Sequence, residues 1–366
     1  MDTPPGRPAA WGGPLTEVER VESDDPWEVL DFLDAHGLAG EAATQRGDLG
    51  VAVLLGARGC AELGGVPLCA ESPAAVPECV AIAYRRGGVV GDAHAGGSVG
   101  AWVPTWTDLE HATAVEAVRR AIARGDVYQA NVVGHRAAPY RGDPAAVAGA
   151  MATLPGAGYG GAVGGDGWVV ASASPEQLVQ VLGERIATAP IKGTSTHPDT
   201  LRASLKDRAE HVMIVDLERN DLARVTQAGS VEVAELYALA EWAGLWHAQS
   251  RVTGILTPGV GTVDVLRALL PGGSVTGAPK HAACGLLAEL EPVGRGPAMG
   301  AMGFVWAGGL HLGLTIRTVA AVEGRVHLWA GGGITWGSDP AREVAEAHAK
   351  AAPVVQALGQ VRPSSS

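Results

Sequence analysis

The segment LKDRAEHVMIVDLERNDLARV spans residues 205–225, and its apolar spacing predicts most of one long helix over Leu201–Val225. Two of its acidic residues, Asp207 and Glu210, are three positions apart, so a helix places both carboxylates on one face. Carboxylates that converge from a helix face are good ligands for hard divalent cations. The segment therefore predicts either a metal-binding helix face or a solvated acidic one.

The same spacing recurs later in the chain, where Glu343 and Glu346 lie on one face of another predicted helix. That helix has Asp339 as its predicted N-cap and Pro340 at its first position, and it runs toward Ala357. If the two acidic faces met, they would form an all-oxygen site suited to Mg²⁺. Because the chain has 39 acidic residues, two solvated surface pairs are the alternative interpretation.

A glycine-rich segment, GGSVTGAPK at residues 272–280, has some features of a phosphate-binding loop. A Walker loop requires Gly-Lys followed by Ser or Thr, whereas Ala278 and Pro279 precede Lys280 here, so the spacing excludes that motif. A glycine-rich turn before a helix can still present backbone N–H groups and the Ser274 hydroxyl to an anion. A plain connecting loop is the other interpretation.

Three further side chains have a chemistry that depends on their surroundings. Lys192 lies in PIKGT at a predicted strand end; a lysine in a tight apolar setting can lose its proton and become a nucleophile, although most lysines are exposed. His247 is compatible with a satisfied core or surface histidine. Arg317 lies in LTIRTV, a predicted apolar strand, where a buried guanidinium needs an anionic partner.

The composition excludes several classes of partner. The 27 basic and 39 acidic residues give a net charge of −12, without a basic block, so nucleic acid and anionic membranes are not expected partners. No apolar run reaches the ~18 residues of a membrane helix, and the glycine-interrupted stretch Gly303–Ile316 predicts two buried strands. The cysteines have neither CxxC spacing nor the density of a disulfide scaffold, which predicts free thiols in a reducing cytoplasm: Cys60, Cys69, Cys79 and Cys284.

Helical patterns are mixed with many strand patterns that do not alternate strictly, which predicts the α+β class. Predicted helices include residues 26–38, residues 111–126 and one that begins around Val263. The predicted strands include residues 48–57, 127–136, 167–174, 184–194 and 230–233.

Eight stretches occur in the following order between Asp108 and Ala352: GDVYQAN, SASPEQL, APIKGT, the segment 205–225, HAQSRVTG, PGGSVTGAPK, LTIRT and GGGITWGSDP. Together they resemble the chorismate-binding enzymes, a family that includes anthranilate synthases, aminodeoxychorismate synthases and isochorismate or salicylate synthases. The resemblance implies a four-layer α/β/β/α fold with two large, mostly antiparallel sheets. With the composition of the chain ends, it divides the chain into a disordered or loosely attached lead, a short N-terminal portion packed on the core, a chorismate-binding catalytic domain and a tail: residues 1–24, 25–105, 106–360 and 361–366.

Two positions separate the reactions within this family. Isochorismate-type enzymes carry a lysine where this chain has Gln129, and anthranilate synthases carry an alanine where it has Lys192. Gln129 together with Lys192 is the aminodeoxychorismate synthase pattern. The resemblance implies that Lys192 attacks C2 of chorismate while the C4 hydroxyl departs, with Glu176 as general acid, and that ammonia then adds at C4. An anthranilate synthase large subunit and a non-catalytic chorismate-binding subunit are the alternatives.

The resemblance also assigns the other site residues. It implies Mg²⁺ as cofactor, with Glu210 and Glu346 as ligands and Asp207 and Glu343 beside them. It implies that Arg317 holds the enolpyruvyl carboxylate of chorismate. The remaining implied substrate contacts are Gly333, His247, Ser274, Gly193, Thr194 and Lys350.

The chain departs from the family pattern at several places. Ala298 replaces an aromatic residue that is usual near the enolpyruvyl carboxylate, and Gly337 stands where an Asp is common. The LLES-type element of tryptophan-inhibited anthranilate synthases is not recognised, so feedback by tryptophan is not expected. No cysteine-based glutaminase segment is recognised either, so ammonia is expected from a separate glutamine amidotransferase subunit.

Overall fold

The computed structural model of the protein describes residues 14–40, 48–86, 96–242 and 245–361, apart from the side chains of Thr194, Leu205–Asp207, Trp242 and Leu245. Within these ranges the helices are α1 (Pro26–Ala35), α2 (Ala57–Gly64), α3 (Asp108–Arg124), α4 (Ala145–Ala152), α5 (Pro198–Ala203), α6 (Leu205–Ala223), α7 (Thr262–Leu269), α8 (Lys280–Leu290) and α9 (Pro340–Leu358). None of these helices combines the length and the apolar content needed to cross a membrane.

The strands of the described chain fall into two sheets. They are β1 (Leu15–Ser23), β2 (Leu49–Leu55), β3 (Cys79–Arg86), β4 (Gly97–Val99), β5 (Val103–Pro104), β6 (Gln129–Gly142), β7 (Gly161–Gly165), β8 (Trp168–Ser172), β9 (Gln177–Leu182), β10 (Arg185–Ala189), β11 (Ile191–Ser195), β12 (Glu232–Trp242), β13 (Leu245–Ile255), β14 (Gly277–Ala278), β15 (Ala301–Trp306), β16 (Gly309–Leu314), β17 (Thr318–Val322) and β18 (Arg325–Ile334).

The larger sheet has ten strands in the order β1-β3-β2-β15-β16-β9-β10-β13-β11, with β12 paired to β13. Its neighbouring strands run antiparallel. Strand β2, in its middle, is buried from Gly50 to Leu55. Such a continuous apolar run is expected of a strand that is covered on both faces.

The smaller sheet has eight strands in the order β14-β6-β18-β17-β8-β7, with β4 and β5 also paired to β6. The pairing of β6 with β18 runs from Pro139 opposite Arg325 to Ala130 opposite Ile334. This register places the end of β18 beside the start of β6, where Gln129 lies.

The two sheets pack face to face, and helices cover their outer faces. In β8, Val170 belongs to the core shared with the larger sheet, whereas its neighbours Val169 and Ala171 pack in the core that includes α4 and α9. This alternation follows the two-residue period of a strand. Helices α3, α4, α8 and α9 contact the smaller sheet, and α1 and α6 contact the larger one, with α2 and α7 beside them. The predicted α+β class and the four-layer arrangement with two large antiparallel sheets are confirmed.

Several local predictions are also confirmed. Gly125 ends α3 in the left-handed conformation at φ 83°, and the Asp339 side chain accepts a hydrogen bond from the backbone N–H of Arg342 at the start of α9. The stretch predicted as two buried strands forms β15 and β16. All four cysteines are free.

The prediction of one helix over Leu201–Val225 is wrong. The chain forms α5 and α6 instead, separated at Ser204, whose backbone is extended at φ −77° and ψ 104°. Serine is a preferred residue at the start of a helix because its hydroxyl accepts hydrogen bonds from free backbone N–H groups. The strand predicted near residues 230–233 is much longer, since β12 continues to Trp242.

The lead predicted to be disordered or loosely attached, residues 1–24, contains β1: Leu15–Ser23 pairs with β3 at the edge of the larger sheet. Residues 1–13 and 362–366 lie outside the described residues. The side chains of β1 are mostly exposed, so the sequence shows little hydrophobic periodicity there. In both sheets, strands that precede residue 105 pair with strands that follow it. In the larger sheet β2 pairs with β15, and in the smaller sheet β4 pairs with β6.

We expect Gly303→Ala to lower the free energy of unfolding by about 1–3 kcal/mol, because overpacking a tight core has that cost. A Cβ at Gly303 in β15 would overlap the His311 carbonyl oxygen and lie 2.7 Å from Leu312 Cα. Gly149→Ala in α4 is the control, since nothing lies within 4 Å of a Cβ there. Urea denaturation compares the two; equal midpoints would contradict the packing argument.

Candidate active site

The centre of the candidate site is Lys192, in β11 of the larger sheet. Its Nζ donates a hydrogen bond to the carbonyl oxygen of Ser274 at 3.2 Å. The pairing of β11 with β13 shifts register between Lys192 and Thr194, at Gly193, whose φ is 75°. Glycine takes this conformation without strain, so the bulge at Gly193 helps to set the direction of the lysine. The side chain of Thr194, a predicted substrate contact, lies outside the described residues.

Glu176 lies next to Lys192 in a fully enclosed position. Burial lowers the pKa of Lys192, and the carboxylates of Glu176 and Glu210 oppose that shift. Burial likewise raises the pKa of Glu176, opposed by Lys192 and by hydrogen bonds from the Ser274 side chain and from the Ile191 backbone N–H at 3.3 Å. Burial is the largest cause of both pKa shifts, and each shift is toward the neutral form of its group, the amine of Lys192 and the carboxylic acid of Glu176. These are the protonation states of a nucleophile and of a general acid.

Ser274 is held in a short 3₁₀ turn, Gly273–Val275, between α6 and β16. A Cβ at Gly273 would contact the Leu217 side chain of α6, and one at Gly272 would lie 2.6 Å from Leu314 Cδ2. The two glycines therefore allow the loop to pack closely against its neighbours. The turn presents its carbonyl to Lys192 and its hydroxyl to Glu176.

The lysine that ends the glycine-rich segment has a structural partner. Lys280 Nζ lies 2.8 Å from Asp221 Oδ2 and donates a hydrogen bond to the Leu269 carbonyl oxygen at 3.1 Å. The ion pair joins the first residue of α8 to α6. This contact links the segment 205–225 to the segment 272–280.

The predicted metal ligands of α9 lie beside β18. A Cβ built on Gly332 would lie 3.5 Å from Glu343 Oε2 and 3.7 Å from Glu346 Oε1. Lys350 Nζ lies 2.7 Å from Glu346 Oε1 and donates to the Gly331 carbonyl oxygen at 3.0 Å. Glu343 is buried, whereas Glu346 and Lys350 are exposed.

The ligand predicted on α6 approaches the same region. Glu210 Oε1 accepts a hydrogen bond from the Thr335 hydroxyl, just after β18, at 3.5 Å. The carboxylates of Glu210 and Glu346 both raise the pKa of Lys192, so both lie within electrostatic reach of its amine. The side chain of Asp207 lies outside the described residues.

The donor chemistry of these carboxylates suits a hard cation. Glu210, Glu343 and Glu346 offer only oxygen, which Mg²⁺ prefers. Among the side chains that the structure describes, no three from His, Cys, Asp and Glu are gathered closely enough to enclose a metal ion. A cation held between α6 and α9 would therefore need further ligands, such as a substrate carboxylate or water.

Arg317 lies in the connection from β16 to β17, where the chain crosses from the larger to the smaller sheet. The prediction that it lies within a strand is wrong: Arg317 belongs to neither strand, and its backbone is left-handed at φ 50°. Burial alone lowers its pKa. His247 in β13 is also buried, and burial together with nearby Arg317 lowers its pKa to about 4. The site thus places the neutral imidazole of His247 near the guanidinium of Arg317. No carboxylate contributes to the pKa shift of that guanidinium.

The sequence predicts a role for Gln129 only in separating the reactions of similar enzymes, yet the structure places its side chain in the site. Its side chain is fully buried, and neither amide atom has a hydrogen-bond partner. A Cβ at Gly333 would contact Gln129 Nε2, so the amide lies against the end of β18. Buried polar groups without partners are rare in proteins, and they are candidates for ligand contacts.

His211 is a second residue that the sequence analysis missed. It is fully buried, and neither ring nitrogen has a hydrogen-bond partner. Its ring packs edge-on against Tyr237 at 5.2 Å between centroids. Burial lowers its pKa to about 4, and Lys192 contributes to that shift. Its position within the segment 205–225, next to Glu210, was a signal that could have identified it.

A model of the chorismate binding enzyme family matches residues 90–356. The chain belongs to the chorismate-binding enzyme family. It is 40% identical over 257 residues to anthranilate synthase component 1 of Streptomyces coelicolor, covering 67% of this chain and 50% of that protein. It is 36% identical over 257 residues to aminodeoxychorismate synthase component 1 of Klebsiella aerogenes, covering 67% of this chain and 57% of that protein. The chain thus spans about half the length of these curated relatives.

The fold of this family member is shared with solved structures. Anthranilate synthase component I of Streptococcus pneumoniae superposes with a TM-score of 0.80 at 24% identity, covering 93% of this chain and 91% of that chain. The menaquinone-specific isochorismate synthase of Escherichia coli superposes with a TM-score of 0.73 at 18% identity, covering 94% and 84%. At these identities the likeness shows the fold.

Glu218 is a buried acid of α6 behind the site. Thr188 donates a hydrogen bond to Glu218 Oε2 at 3.2 Å. Burial raises its pKa from 4.5 to about 8, and Asp221 adds to the shift. The folded protein therefore keeps this proton up to about pH 8, whereas the unfolded chain loses it above about pH 4.5. Folding stability from this group is fully present below pH 4.5 and is lost as the pH rises toward 8.

We expect Glu218→Gln to be more stable than the parent protein at pH 8, by on the order of a few kcal/mol, with the difference shrinking toward pH 5. The glutamine fits the same space and never ionises. Urea denaturation from pH 5 to 9 measures the difference, with the exposed Glu235→Gln as control. A difference that is constant with pH would show that Glu218 is not held neutral by the fold.

Proposed function

We propose that this chain is the aminating subunit of an aminodeoxychorismate synthase, which converts chorismate and ammonia into 4-amino-4-deoxychorismate. The observation that carries this proposal is the pair formed by Lys192, which is partly buried, and the buried Glu176: loss of water lowers the pKa of the amine and raises that of the acid. Covalent catalysis by lysine needs the neutral amine. The likeness to aminodeoxychorismate synthase component 1 supports the proposal.

In the first step, the Lys192 Nζ forms a bond to C2 of chorismate, and the bond from C4 to its hydroxyl breaks. Glu176 gives its proton to the departing hydroxyl, which leaves as water. The Glu176 carboxylate then takes up the proton that the new secondary amine releases. The Ser274 carbonyl, which accepts a hydrogen bond from Lys192 at 3.2 Å, orients the amine before attack.

In the second step, ammonia forms a bond to C4 and the bond from C2 to Lys192 breaks. Glu176 returns a proton to the departing amine, and the added nitrogen loses one. The sum is chorismate plus ammonia giving 4-amino-4-deoxychorismate plus water, with Lys192 and Glu176 restored.

The substrate is a dianion, and the chain has a net charge of −12, so local positive charge is needed to bind it. We assign Arg317 to the enolpyruvyl carboxylate, because burial shifts its pKa with no carboxylate contributing. Gln129, beside Gly333, offers a buried amide without a partner. His247, Ser274 and Lys350 complete the contacts. Ala298, where family members carry an aromatic residue, is fully buried in the core.

We propose Mg²⁺ as the cofactor, with Glu210 and Glu346 as its ligands and Asp207 and Glu343 beside them. When bound, the ion would neutralise the ring carboxylate and withdraw electron density from the ring. In the present arrangement the Lys350 amine neutralises Glu346 at 2.7 Å. Lys350 would then turn to the substrate when Glu346 binds the ion.

A partner should supply the ammonia. We propose a separate glutamine amidotransferase subunit. The product would serve p-aminobenzoate and folate synthesis or a specialised metabolite.

The alternative activity is that of an anthranilate synthase component, which the 40% identity to such a protein favours. The lysine at position 192, where the resemblance assigns alanine to anthranilate synthases, argues against it. Incubation with chorismate, Mg²⁺ and ammonium salt, followed by mass analysis, separates the two: aminodeoxychorismate supports the proposal and anthranilate supports the alternative.

We expect chorismate and Mg²⁺ without ammonia to add the mass of chorismate less water to a peptide that contains Lys192, provided that the adduct accumulates. Lys192→Ala should abolish this adduct and reduce aminodeoxychorismate formation by about 10²-fold or more, because the nucleophile is lost. The same variant should keep its thermal midpoint and its chorismate-independent Mg²⁺ affinity. Aminodeoxychorismate formation by Lys192→Ala at the unmodified rate would disprove the covalent route.

We expect Glu210→Gln and Glu346→Gln each to weaken Mg²⁺ binding by well over about tenfold, since each removes one ligand charge from a hard-cation site. Titration of Mg²⁺ by calorimetry measures this without relying on turnover. Glu235→Gln, an exposed acid of β12, is the control. Full activity in excess chelator would exclude a required metal.

A further inference from the structure

Arg295 and Glu291 form a buried ion pair in the connection between α8 and β15. Arg295 Nε lies 2.8 Å from Glu291 Oε2, and its Nη2 lies 2.7 Å from Glu291 Oε1. The exposed fractions of the two side chains are 6% and 3%. A pair at this depth needs further hydrogen bonds to offset its loss of hydration.

Those hydrogen bonds go to the Ser274 turn and to strand β6. Arg295 Nη1 donates to the Val275 carbonyl oxygen at 2.7 Å, and Nη2 donates to the Asn131 carbonyl oxygen at 2.6 Å. Glu291 Oε1 accepts from the Val133 backbone N–H at 3.0 Å. The rigid guanidinium therefore donates to two backbone carbonyls while it pairs with Glu291, which the single point charge of a lysine cannot reproduce.

Both carbonyls adjoin residues of the candidate site. Val275 follows Ser274, whose carbonyl oxygen accepts the hydrogen bond from Lys192. Asn131 is two residues from Gln129 along β6, so their side chains share one face of the strand. The backbone N–H of Asn131 also donates to the Thr276 carbonyl oxygen at 2.8 Å, which attaches the same loop to β6.

We propose that Arg295 is a positioning residue for the reaction: it clamps the Val275 and Asn131 carbonyls, and thereby holds Ser274 against Lys192 and Glu176. Arg295 itself does not touch the reacting groups. The inference rests on the proposed function for its catalytic consequence, but the clamp is a property of the fold.

The packing explains why the loop needs this clamp. Gly272 and Gly273 face Leu314 of β16 and Leu217 of α6, and they have no side chains that could hold the turn there. The Thr276 hydroxyl donates to the Gly272 carbonyl oxygen at 2.8 Å, which closes the loop on itself without joining it to a neighbour. Without Arg295, two buried carbonyls would lose their donor, and the turn would shift to satisfy them. A displacement of about 1 Å at a catalytic group can reduce turnover by on the order of 10²-fold.

Steady-state kinetics of Arg295→Lys tests the proposal, with ammonia and Mg²⁺ saturating. We expect kcat to fall by on the order of 10²-fold while the KM for chorismate changes by less than about threefold, because the affected contact orients the nucleophile. Gly303→Ala is the control for lost stability, because it weakens β15 and leaves the contacts of Arg295 with the Ser274 turn and β6 unchanged. A kcat for Arg295→Lys equal to that of Gly303→Ala would overturn the proposal.

Chemical rescue adds a readout that a general loss of stability does not give. Arg295→Ala leaves a cavity beside Glu291 that guanidinium ion can fill, so tens of millimolar guanidinium should restore kcat by about tenfold, whereas tetramethylammonium should not. Rescue by both ions equally, or by neither, would overturn the clamp. If Arg295→Ala does not fold, Glu291→Gln weakens the same clamp and should show the same loss of kcat at unchanged KM.

A last measurement does not depend on which product the enzyme makes. Acetylation of Lys192 by acetic anhydride, followed by peptide mass analysis, should be faster in Arg295→Lys than in the parent protein or in Gly303→Ala, because the Ser274 carbonyl no longer restrains the amine. If the parent protein makes no aminodeoxychorismate but this change in acetylation appears, the proposed function fails and the clamp stands. An unchanged acetylation rate would overturn the clamp whatever the product.

Discussion

The burial of one amine next to one carboxylic acid is the constraint on which this site depends. Removing Lys192 and Glu176 from water disfavours the charged form of each, and their mutual attraction only partly offsets that cost. Both pKa values therefore shift toward the neutral forms that a nucleophile and a general acid need. Because the burial of two polar groups opposes folding, the surrounding structure must hold both in place.

The surrounding elements meet that requirement from different parts of the chain. Strand β11 presents Lys192 from the larger sheet, and the Ser274 turn faces it with a carbonyl and a hydroxyl. Two ion-paired cations anchor the segment that contains this turn. Lys280 pairs with Asp221 at one end, and Arg295, which pairs with Glu291, donates a hydrogen bond to the Val275 carbonyl near its middle. Polar contacts thus help to fix a loop in which Gly272 and Gly273 contribute no side chains.

Helix α6 combines the charged and the buried parts of the site. Glu210 approaches the end of β18, while His211, Glu218 and Asp221 are buried on the side that faces the core. The same helix also buries the apolar side chains of Ile214, Val215 and Leu222. The long antiparallel sheets, with their continuous apolar core, provide the stability that this arrangement uses.

Much of this could be predicted from residue patterns. Capping residues predicted the C-terminal end of α3 and the start of α9. An apolar run interrupted by glycines predicted β15 and β16. These signals are local in the sequence. The break at Ser204 and the strand β1 were not predicted, since the first depends on where α5 packs and the second on backbone pairing with β3. Motifs nominated Lys192, Glu176 and the acids of α6 and α9, but not His211, Glu218 or Arg295, whose significance lies in what surrounds them.

The sequence by itself determined the family, the α+β class and the identity of the groups that can do chemistry, because motifs of fixed spacing specify which side chains are present. Tertiary structure alone decided which of those groups meet. It brought Lys192 beside Glu176 and directed Lys280 to Asp221. It also placed Arg317, whose backbone is left-handed at φ 50°, in the connection between the two sheets. The reason is physical: pKa values and hydrogen-bond partners depend on distance and on exclusion of water, and both are set only when distant segments pack together.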